Sequence, residues 1–182
     1  FLLSSVIFFI LYFDNDLVIK NIRISFLDDT FGTKNLGILF TLFCILVFLN
    51  AFNMFDGINL QASIYSLSIF FFLSIMVIQS FFILIIIIYL IFYSILNYRN
   101  KSFLGDSGSL LLAFLISYIF IKLYNSDFIE FSDEIFIFMM IPGIDLIRLF
   151  FVRAIKKKNP LKSDKDHLHH LLISKFTHKK SL

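Results

Sequence analysis

Amide and carboxylate side chains recur at regular spacing in the segment 50–59. Asn50, Asn53 and Asp56 are three residues apart, which places them on one face of a helix end. Amides present donor and acceptor edges that suit a nucleobase or sugar hydroxyls, and a carboxylate takes a hydroxyl donor or a cation. With Asn59 three residues further on, the spacing predicts a site for a polar, hydrogen-bonding ligand.

Asp56 is the only formally charged side chain between Asn35 and Tyr98. An ionisable group at a membrane boundary is costly to keep there and is usually functional. A structural explanation also exists, because Asp56 and the following glycine are typical of a turn and Asn59 is typical of a helix N-cap. The isolation of this charge among asparagines favours the functional interpretation.

A second polar segment covers residues 103–109 and contains two glycines, two serines and Asp106. The glycines let the backbone approach a ligand closely, and Asp106 offers oxygen ligands to a hard divalent cation. Ser107 or Ser109 is predicted to cap a helix whose N-terminus faces an anion. Such segments also form plain capped turns, so the functional interpretation depends on the other motifs.

Three histidines stand close together near the end of the sequence, at His167, His169 and His170. Imidazoles bind phosphate as cations, act as general acids or bases, or ligate metals. A zinc site would be short of ligands, since no cysteine accompanies them. The lysines at 156–158 are explained by an anchor on anionic lipid headgroups, whereas the clustered histidines favour a phosphate-binding role.

The three segments together describe one kind of ligand. Carboxylates suit Mg²⁺, amides suit a base, and imidazoles with lysines suit phosphate. A nucleotide diphosphate that meets a lipid phosphate combines all three, and phosphoryl transfer needs little beyond positioning and charge neutralisation. Mg²⁺ is therefore the expected cofactor, with Mn²⁺ as the alternative ion.

The elements that must position these residues are membrane helices. Of 182 residues, 59% are apolar and 16% are charged, a balance that excludes a water-soluble globule. At about 20 apolar residues per span, the sequence predicts an all-α polytopic membrane protein with about five transmembrane helices plus a partial one at 1–13. Segment 14–35 instead alternates apolar and polar residues, which predicts a small extracytoplasmic β-hairpin. The predicted spans are 36–49, 61–78, 81–97, 110–124 and 135–155, the last interrupted at Pro142 and Gly143.

Basic residues outnumber acidic ones in the segment 156–182, and loops rich in lysine and arginine stay in the cytoplasm. Counting back through the spans places 50–60 and 98–109 on the same cytoplasmic face. The hairpin at 14–35 and the loop at 125–134 fall on the opposite face. All three candidate segments therefore share one side of the membrane.

Four motifs resemble, in order and spacing, those of the polyprenyl-phosphate N-acetylhexosamine-1-phosphate transferases, the WecA/TagO/MraY superfamily, and most closely its WecA/TagO branch. They are NAFNMFDGIN at 50–59, FLGDSGS at 103–109, IPGID at 141–145 and DHLHH at 166–170. The resemblance implies a Mg²⁺-dependent enzyme of the bacterial inner membrane with its active site on the cytoplasmic face. Such an enzyme moves a sugar-1-phosphate from a UDP-sugar to undecaprenyl phosphate, releases UMP and starts a cell-envelope glycan.

By motif position, the resemblance implies that Asp106 binds Mg²⁺ and acts in catalysis with Asp56 and His169. It also implies a set of substrate-binding side chains, namely Asn50, Asn53, Asn59, Phe103, His167 and His170. Among these, the ring of Phe103 would form a wall against uracil. The implied partners are a UDP-sugar, a polyprenyl phosphate lipid and the membrane, without nucleic acid. A homodimer is a further expected form of such a protein.

The chain departs from the family pattern in two ways. Many members have a second aspartate followed by Gly-Leu, where this chain has Asn59-Leu60-Gln61. The family's adjacent aspartates of an early cytoplasmic loop have no counterpart, so the chain is expected to be one transferase domain that is incomplete at both ends and inactive alone. Two other classes fit parts of the pattern. They are an ion-coupled transporter that uses Asp56, Asp106 and Asp145, and a catalytically inactive membrane scaffold.

Overall fold

The structure is a computed structural model, and it describes residues 2–27, 29–57, 59–77 and 80–155. Six α-helices and a two-stranded sheet form that part of the chain. The helices are α1 (Leu2–Phe13), α2 (Gly37–Phe55), α3 (Gln61–Met76), α4 (Phe81–Tyr98), α5 (Gly105–Asn125) and α6 (Ser132–Ile155). The basic segment at 156–182, which contains His167, His169 and His170, lies outside the described residues.

Each apolar segment of the sequence forms a helix, which confirms the predicted all-α polytopic membrane protein. Three helical stretches in the described residues are long and apolar enough to cross a membrane, namely Lys34–Phe55, Phe81–Tyr98 and Gly105–Asn125. Helices α1 and α3 are apolar but shorter. Large apolar side chains also point outward, and in α4 Phe81 is 75% exposed and Phe92 is 64% exposed. Such a surface is unfavourable in water and suits contact with lipid chains.

The segment 14–35 forms the predicted hairpin. β1 (Asn21–Ile22) pairs antiparallel with β2 (Phe31–Gly32), so that Asn21 lies opposite Gly32. Short 3-10 turns at Asn15–Leu17 and Lys34–Leu36 connect this sheet to α1 and α2. The sheet is small, and contacts with the helices must therefore hold the hairpin in place.

Polar contacts attach the hairpin to the connection between α5 and α6. The Arg23 side chain pairs with Asp127, and the backbone N–H of Arg23 donates to the Tyr124 hydroxyl over 2.8 Å. The Ser25 hydroxyl donates to the Asp133 carboxylate over 2.6 Å. The hairpin and the α5–α6 connection therefore lie at the same end of the bundle, as counting of the predicted spans requires.

Helix α2 is central in the bundle. It packs against α1, α5 and α6, while α3 packs chiefly against α4. Phe52 of α2, Phe70 of α3 and Phe120 of α5 have no exposed surface and fill the space between the helices. Because α2 leaves the hairpin end and α5 returns to it, the end of α2 and the start of α5 meet at the opposite end of the bundle.

Two helix ends differ from the prediction, and both differences move polar residues into helices. Helix α2 continues to Phe55 instead of ending at residue 49, so Asn50 and Asn53 are helical. Helix α5 begins at Gly105 instead of residue 110, so Asp106 lies in its first turn. Unbonded backbone groups near a membrane cost free energy, and helices therefore continue through polar side chains that leave the backbone hydrogen bonds intact.

Helix α6 runs without interruption through Pro142, although the sequence predicts a break there. Proline has no N–H, so the Phe138 carbonyl, four residues earlier, loses its helical partner. The hydroxyl of Tyr65 in α3 donates a hydrogen bond to that carbonyl. The predicted interruption is wrong because a side chain from a neighbouring helix replaces the missing bond.

Tyr65→Phe removes one hydroxyl and leaves the Phe138 carbonyl without this partner. We expect the full-length protein in detergent to lose about 1–3 kcal/mol of unfolding free energy, measured as a lower thermal midpoint. Tyr12→Phe removes an exposed hydroxyl at the end of α1 and is the control, with an unchanged midpoint. Equal midpoints for the two variants would show that the Tyr65 hydrogen bond contributes nothing to stability.

Candidate active site

Two connections at the end of the bundle opposite the hairpin enclose a cavity of about 270 Å³. One connection joins α2 to α3, and the other joins α4 to α5. Five sequence-predicted residues meet in this cavity: Asn53, Asp56, Asn59, Phe103 and Asp106. The remaining lining residues are Gly57, Asn97, Leu104 and Gly105.

The end of α2 positions Asn53 and Asp56. The Asp56 N–H donates to the Phe52 carbonyl over 3.0 Å, so the carboxylate is held at a helix end. One turn earlier, Oδ1 of Asn53 accepts a hydrogen bond from the hydroxyl of Ser109, a fully buried residue of α5. This bond joins the two helices that carry the acidic residues of the cavity.

The start of α5 depends on Gly105, whose φ of +65° is a left-handed conformation that glycine adopts without strain. No atom lies within 4 Å of where a Cβ would be, so the backbone angle and not crowding favours glycine. Asp106 follows in the first turn, where the helix N-terminus stabilises a negative charge. The predicted serine cap is wrong, because the N-cap residue is Leu104 and makes no side-chain cap hydrogen bond.

The Asp56 carboxyl lies in the cavity with the charge of Asp106 close by. Burial, and then the negative charge of Asp106, raise the pKa of the Asp56 carboxyl to about 6. Two acids that repel each other across one cavity favour a cation between them. Their oxygen atoms are the donor type that Mg²⁺ prefers, and Mg²⁺ typically takes one or two carboxylates together with phosphate oxygens and water. Among the described residues, no group of three or more histidine, cysteine or acidic side chains is placed to hold a metal ion.

Asn97 is a candidate that sequence reasoning missed. Its side chain is 4% exposed, accepts a hydrogen bond from the Leu60 N–H over 2.6 Å and donates one to the Ser102 carbonyl over 2.8 Å. It therefore contacts both connections at once. The signal in the sequence was an amide at the very end of the apolar segment 81–97.

Phe103 stands at the cavity with 72% of its surface exposed. An exposed aromatic ring beside amide groups is suited to stack on a planar base. Asn59 makes a second link between the connections, because its Nδ2 donates to Oδ1 of Asn100. The cavity thus combines an aromatic surface, amides and two carboxylates.

Asn50 is not part of the cavity. It is exposed on α2, and its Nδ2 donates to the Leu46 carbonyl over 2.9 Å. Its role in substrate binding stays a prediction. The roles of His167, His169 and His170 also stay predictions, since these residues lie outside the described ranges.

A larger cavity of about 550 Å³ lies at the hairpin end, between the hairpin, α2, α5 and α6. Its walls are mostly apolar side chains such as Phe120 and Met139. Ser132 and Asp133 at its edge are already hydrogen-bonded to the hairpin, to the Arg23 carbonyl and to Ser25. Cys44 and Tyr124 also line this cavity. The sequence-predicted residues meet in the smaller polar cavity instead, which is therefore the candidate site.

Comparison with known proteins agrees with the resemblance carried by the motifs. The family model described as Glycosyl transferase family 4 matches residues 1–124. Several curated relatives share the name undecaprenyl-phosphate alpha-N-acetylglucosaminyl 1-phosphate transferase. The predicted family is thereby confirmed. No solved structure matches the chain.

Three of these relatives show how much of each protein is covered. The relative from Escherichia coli O157:H7 is 29% identical over 176 residues, which is 86% of this chain and 47% of the relative. The relative from Yersinia pestis is 30% identical over 149 residues, 75% of this chain and 41% of the relative. The relative from Salmonella typhi is 28% identical over 177 residues, 86% of this chain and 47% of the relative. The chain therefore spans less than half the length of these relatives.

Gly105→Ala adds a Cβ in open space on a left-handed backbone. We expect the full-length protein in detergent to lose about 1–2 kcal/mol of unfolding free energy. Gly143 of α6 has equally open surroundings without a positive φ, so Gly143→Ala is the matched control and should lose nothing. Thermal midpoints measure both. A midpoint for Gly105→Ala at or above that of Gly143→Ala would contradict the role given to the backbone angle.

Proposed function

Because the chain belongs to glycosyl transferase family 4, we propose that it contributes the nucleotide and metal site of an enzyme that transfers a sugar-1-phosphate to a lipid. The donor is a UDP-sugar with an N-acetylhexosamine, and the acceptor is undecaprenyl phosphate. An acceptor phosphate oxygen forms a bond to the sugar-bearing phosphorus, and the bond from that phosphorus to UMP breaks. The observation that carries the proposal is the single cavity in which side chains of two distant motifs meet.

The lining of the cavity supports the nucleotide part of this proposal. The exposed ring of Phe103 stacks on the uracil, and the amides of Asn53 and Asn59 bind its edges or the ribose hydroxyls. Asn53 is held by the buried Ser109 hydroxyl, so its orientation is set before the ligand arrives. A rigid amide loses little conformational entropy on binding, which favours affinity.

Asp106 and Asp56 are the residues that would hold Mg²⁺. Their oxygen donors fit this ion, and the pKa of Asp56 is raised first by burial and then by the negative charge of Asp106, a charge that a divalent cation would offset. When bound, Mg²⁺ supplies neutralisation of the diphosphate charge, which phosphoryl transfer requires. Asp106 is exposed and Asp56 is half-buried, so Asp106 is the more accessible of the two to a substrate.

The place of the cavity suits a lipid acceptor. It lies at the ends of the apolar helices α2, α4 and α5, where the phosphate of a lipid beside these helices would be within reach. The positive-inside rule puts this end at the cytoplasmic face of a bacterial inner membrane. The three histidines of 166–170, with His169 in catalysis, are proposed to hold phosphates there.

A transporter is less well supported. A carrier keeps its ionisable residues within the bilayer, along the path of the ion or substrate. Asp56 and Asp106 instead lie at helix ends, and Asp145 within α6 is paired with Arg148 over 2.8 Å. An inactive scaffold would release no UMP, so an activity measurement separates it from the transferase.

Asp106→Asn keeps the size of the side chain and removes its charge. In membranes that contain the full-length protein, we expect Mg²⁺-dependent UMP release and transfer of labelled sugar to lipid to fall about 100-fold or more, because metal stabilisation of the transition state is worth several kcal/mol. Asp29→Asn makes the same change in the exposed hairpin and is the control, with normal transfer. Normal turnover by Asp106→Asn would remove the basis of the proposal.

Phe103→Ala removes the exposed ring. We expect the KM for the UDP-sugar to rise about tenfold, because stacking on a base is worth about 1–3 kcal/mol, while the KM for the lipid phosphate stays the same. Phe103→Tyr retains an aromatic surface and should keep a KM close to the original. If all three proteins share one KM for the UDP-sugar, Phe103 does not stack on the base.

A further inference from the structure

The connection between α2 and α3 holds a leucine in an unusual backbone conformation. Leu60 has a φ of 72°, in the left-handed region where a Cβ comes too close to the following carbonyl oxygen. Its own carbonyl accepts a hydrogen bond from the Ile64 N–H over 2.9 Å, so the same residue also starts α3. A strained conformation of this kind persists only where the surroundings hold it.

The side chain of Asn97 in α4 holds Leu60 in this conformation. Its Oδ1 accepts from the Leu60 N–H over 2.6 Å, and its Nδ2 donates to the Ser102 carbonyl over 2.8 Å. An amide accepts at one atom and donates at the other, whereas a carboxylate only accepts. Because the Asn97 side chain is 4% exposed, water does not readily replace either bond, and loss of one leaves a backbone group unsatisfied.

The two backbone groups that Asn97 binds lie next to the two walls of the cavity, since Leu60 follows Asn59 and Ser102 precedes Phe103. Leu60 ends the connection that begins with Asp56, and Ser102 precedes the segment that carries Phe103 and Asp106. These walls come from parts of the chain that α3 and α4 separate. The distance between the two walls therefore depends on side-chain hydrogen bonds that join them. The Asn97 amide makes buried hydrogen bonds of this kind.

We propose that Asn97 is a positioning residue that sets the distance between the two walls by holding Leu60 in its left-handed conformation and fixing Ser102 at the same time. It acts on the site through these backbone contacts and so controls how Asp56 and Asp106 face each other. The activity measurements below rest on the proposed function. A measurement of backbone exchange does not, and the two can therefore fail separately.

The far end of the bundle offers a matched control. Asn125 also binds two backbone groups with one amide, since its Nδ2 donates to the Asp16 carbonyl over 2.7 Å and to the Val18 carbonyl over 3.1 Å. It joins α5 to the segment before the hairpin and lies away from the candidate site. Asn125→Leu removes a similar clamp without touching the cavity.

Hydrogen exchange of the full-length protein in detergent tests whether the Asn97 side chain holds the Leu60 and Ser102 backbone groups. In Asn97→Leu we expect amide exchange in both connections to rise about tenfold, with the hairpin unchanged, because two buried bonds are lost. In Asn97→Asp, which still accepts from Leu60, the rise should be confined to the α4–α5 connection. In Asn125→Leu the rise should appear at 15–22 alone. Unchanged exchange in both connections of Asn97→Leu would overturn the proposal, whatever the protein catalyses.

Kinetics with UDP-sugar and polyprenyl phosphate test the consequence for the site. Asn97→Leu should raise the KM for the UDP-sugar about tenfold and leave the KM for the lipid phosphate unchanged, whereas Asn125→Leu should alter neither. A purely structural role would lower the amount of active enzyme, and hence kcat, at constant KM, and that result would count against positioning.

A second substitution separates positioning from direct contact with the nucleotide. Glycine adopts the Leu60 conformation without strain, so Leu60→Gly needs less hold from Asn97. In the double variant with Asn97→Leu, we expect the KM for the UDP-sugar to return to within about threefold of the original, a non-additive result. Additive effects would assign Asn97 to the ligand instead and overturn the proposal. Absence of any transfer by the unmodified protein would overturn the proposed function. The hydrogen-exchange measurement would then still test whether Asn97 holds the two connections.

Discussion

Inside a membrane, each backbone N–H and C=O group needs a partner within the protein, and the rest of this structure follows from that constraint. It explains why α2 and α5 extend through polar residues such as Asn53 and Asp106. It also explains the contact at Pro142, where the ring removes a donor and Tyr65 of a neighbouring helix satisfies the Phe138 carbonyl. A helix with a proline stays continuous because a tertiary contact supplies what its own backbone lacks.

The two ends of the bundle differ in their charges, and within the bundle Asp145 pairs with Arg148 in α6. At the hairpin end, Arg23 pairs with Asp127 and Lys122 pairs with Asp14. At the other end, no lysine or arginine among the described residues forms an ion pair with Asp56 or Asp106. Negative charge without such a partner favours a bound cation or a cationic ligand at that end.

Much of the fold was predictable, because long apolar runs have few alternatives to a helix in a membrane. The hairpin and the shared end of the two segments at 50–59 and 103–109 also agree with the prediction. The errors concern the exact ends of helices and the role of single residues. The serine cap at 107 or 109 was wrong since Gly105 starts α5 and the Ser109 hydroxyl turns to Asn53 instead. Asn97 was missed because its partners, Leu60 and Ser102, cannot be read from its own segment.

The sequence by itself determined the class of protein, the helices and the residue types available for chemistry, since composition, periodicity and motif spacing are local properties of the chain. The tertiary structure decided which of these residues share a site. It joined Asn53, Asp56 and Asn59 to Phe103 and Asp106, and it left Asn50 on the outside of α2. The physical reason is that packing of α2 against α5, and of α3 against α4, sets distances between residues far apart in the chain. No local pattern encodes those distances.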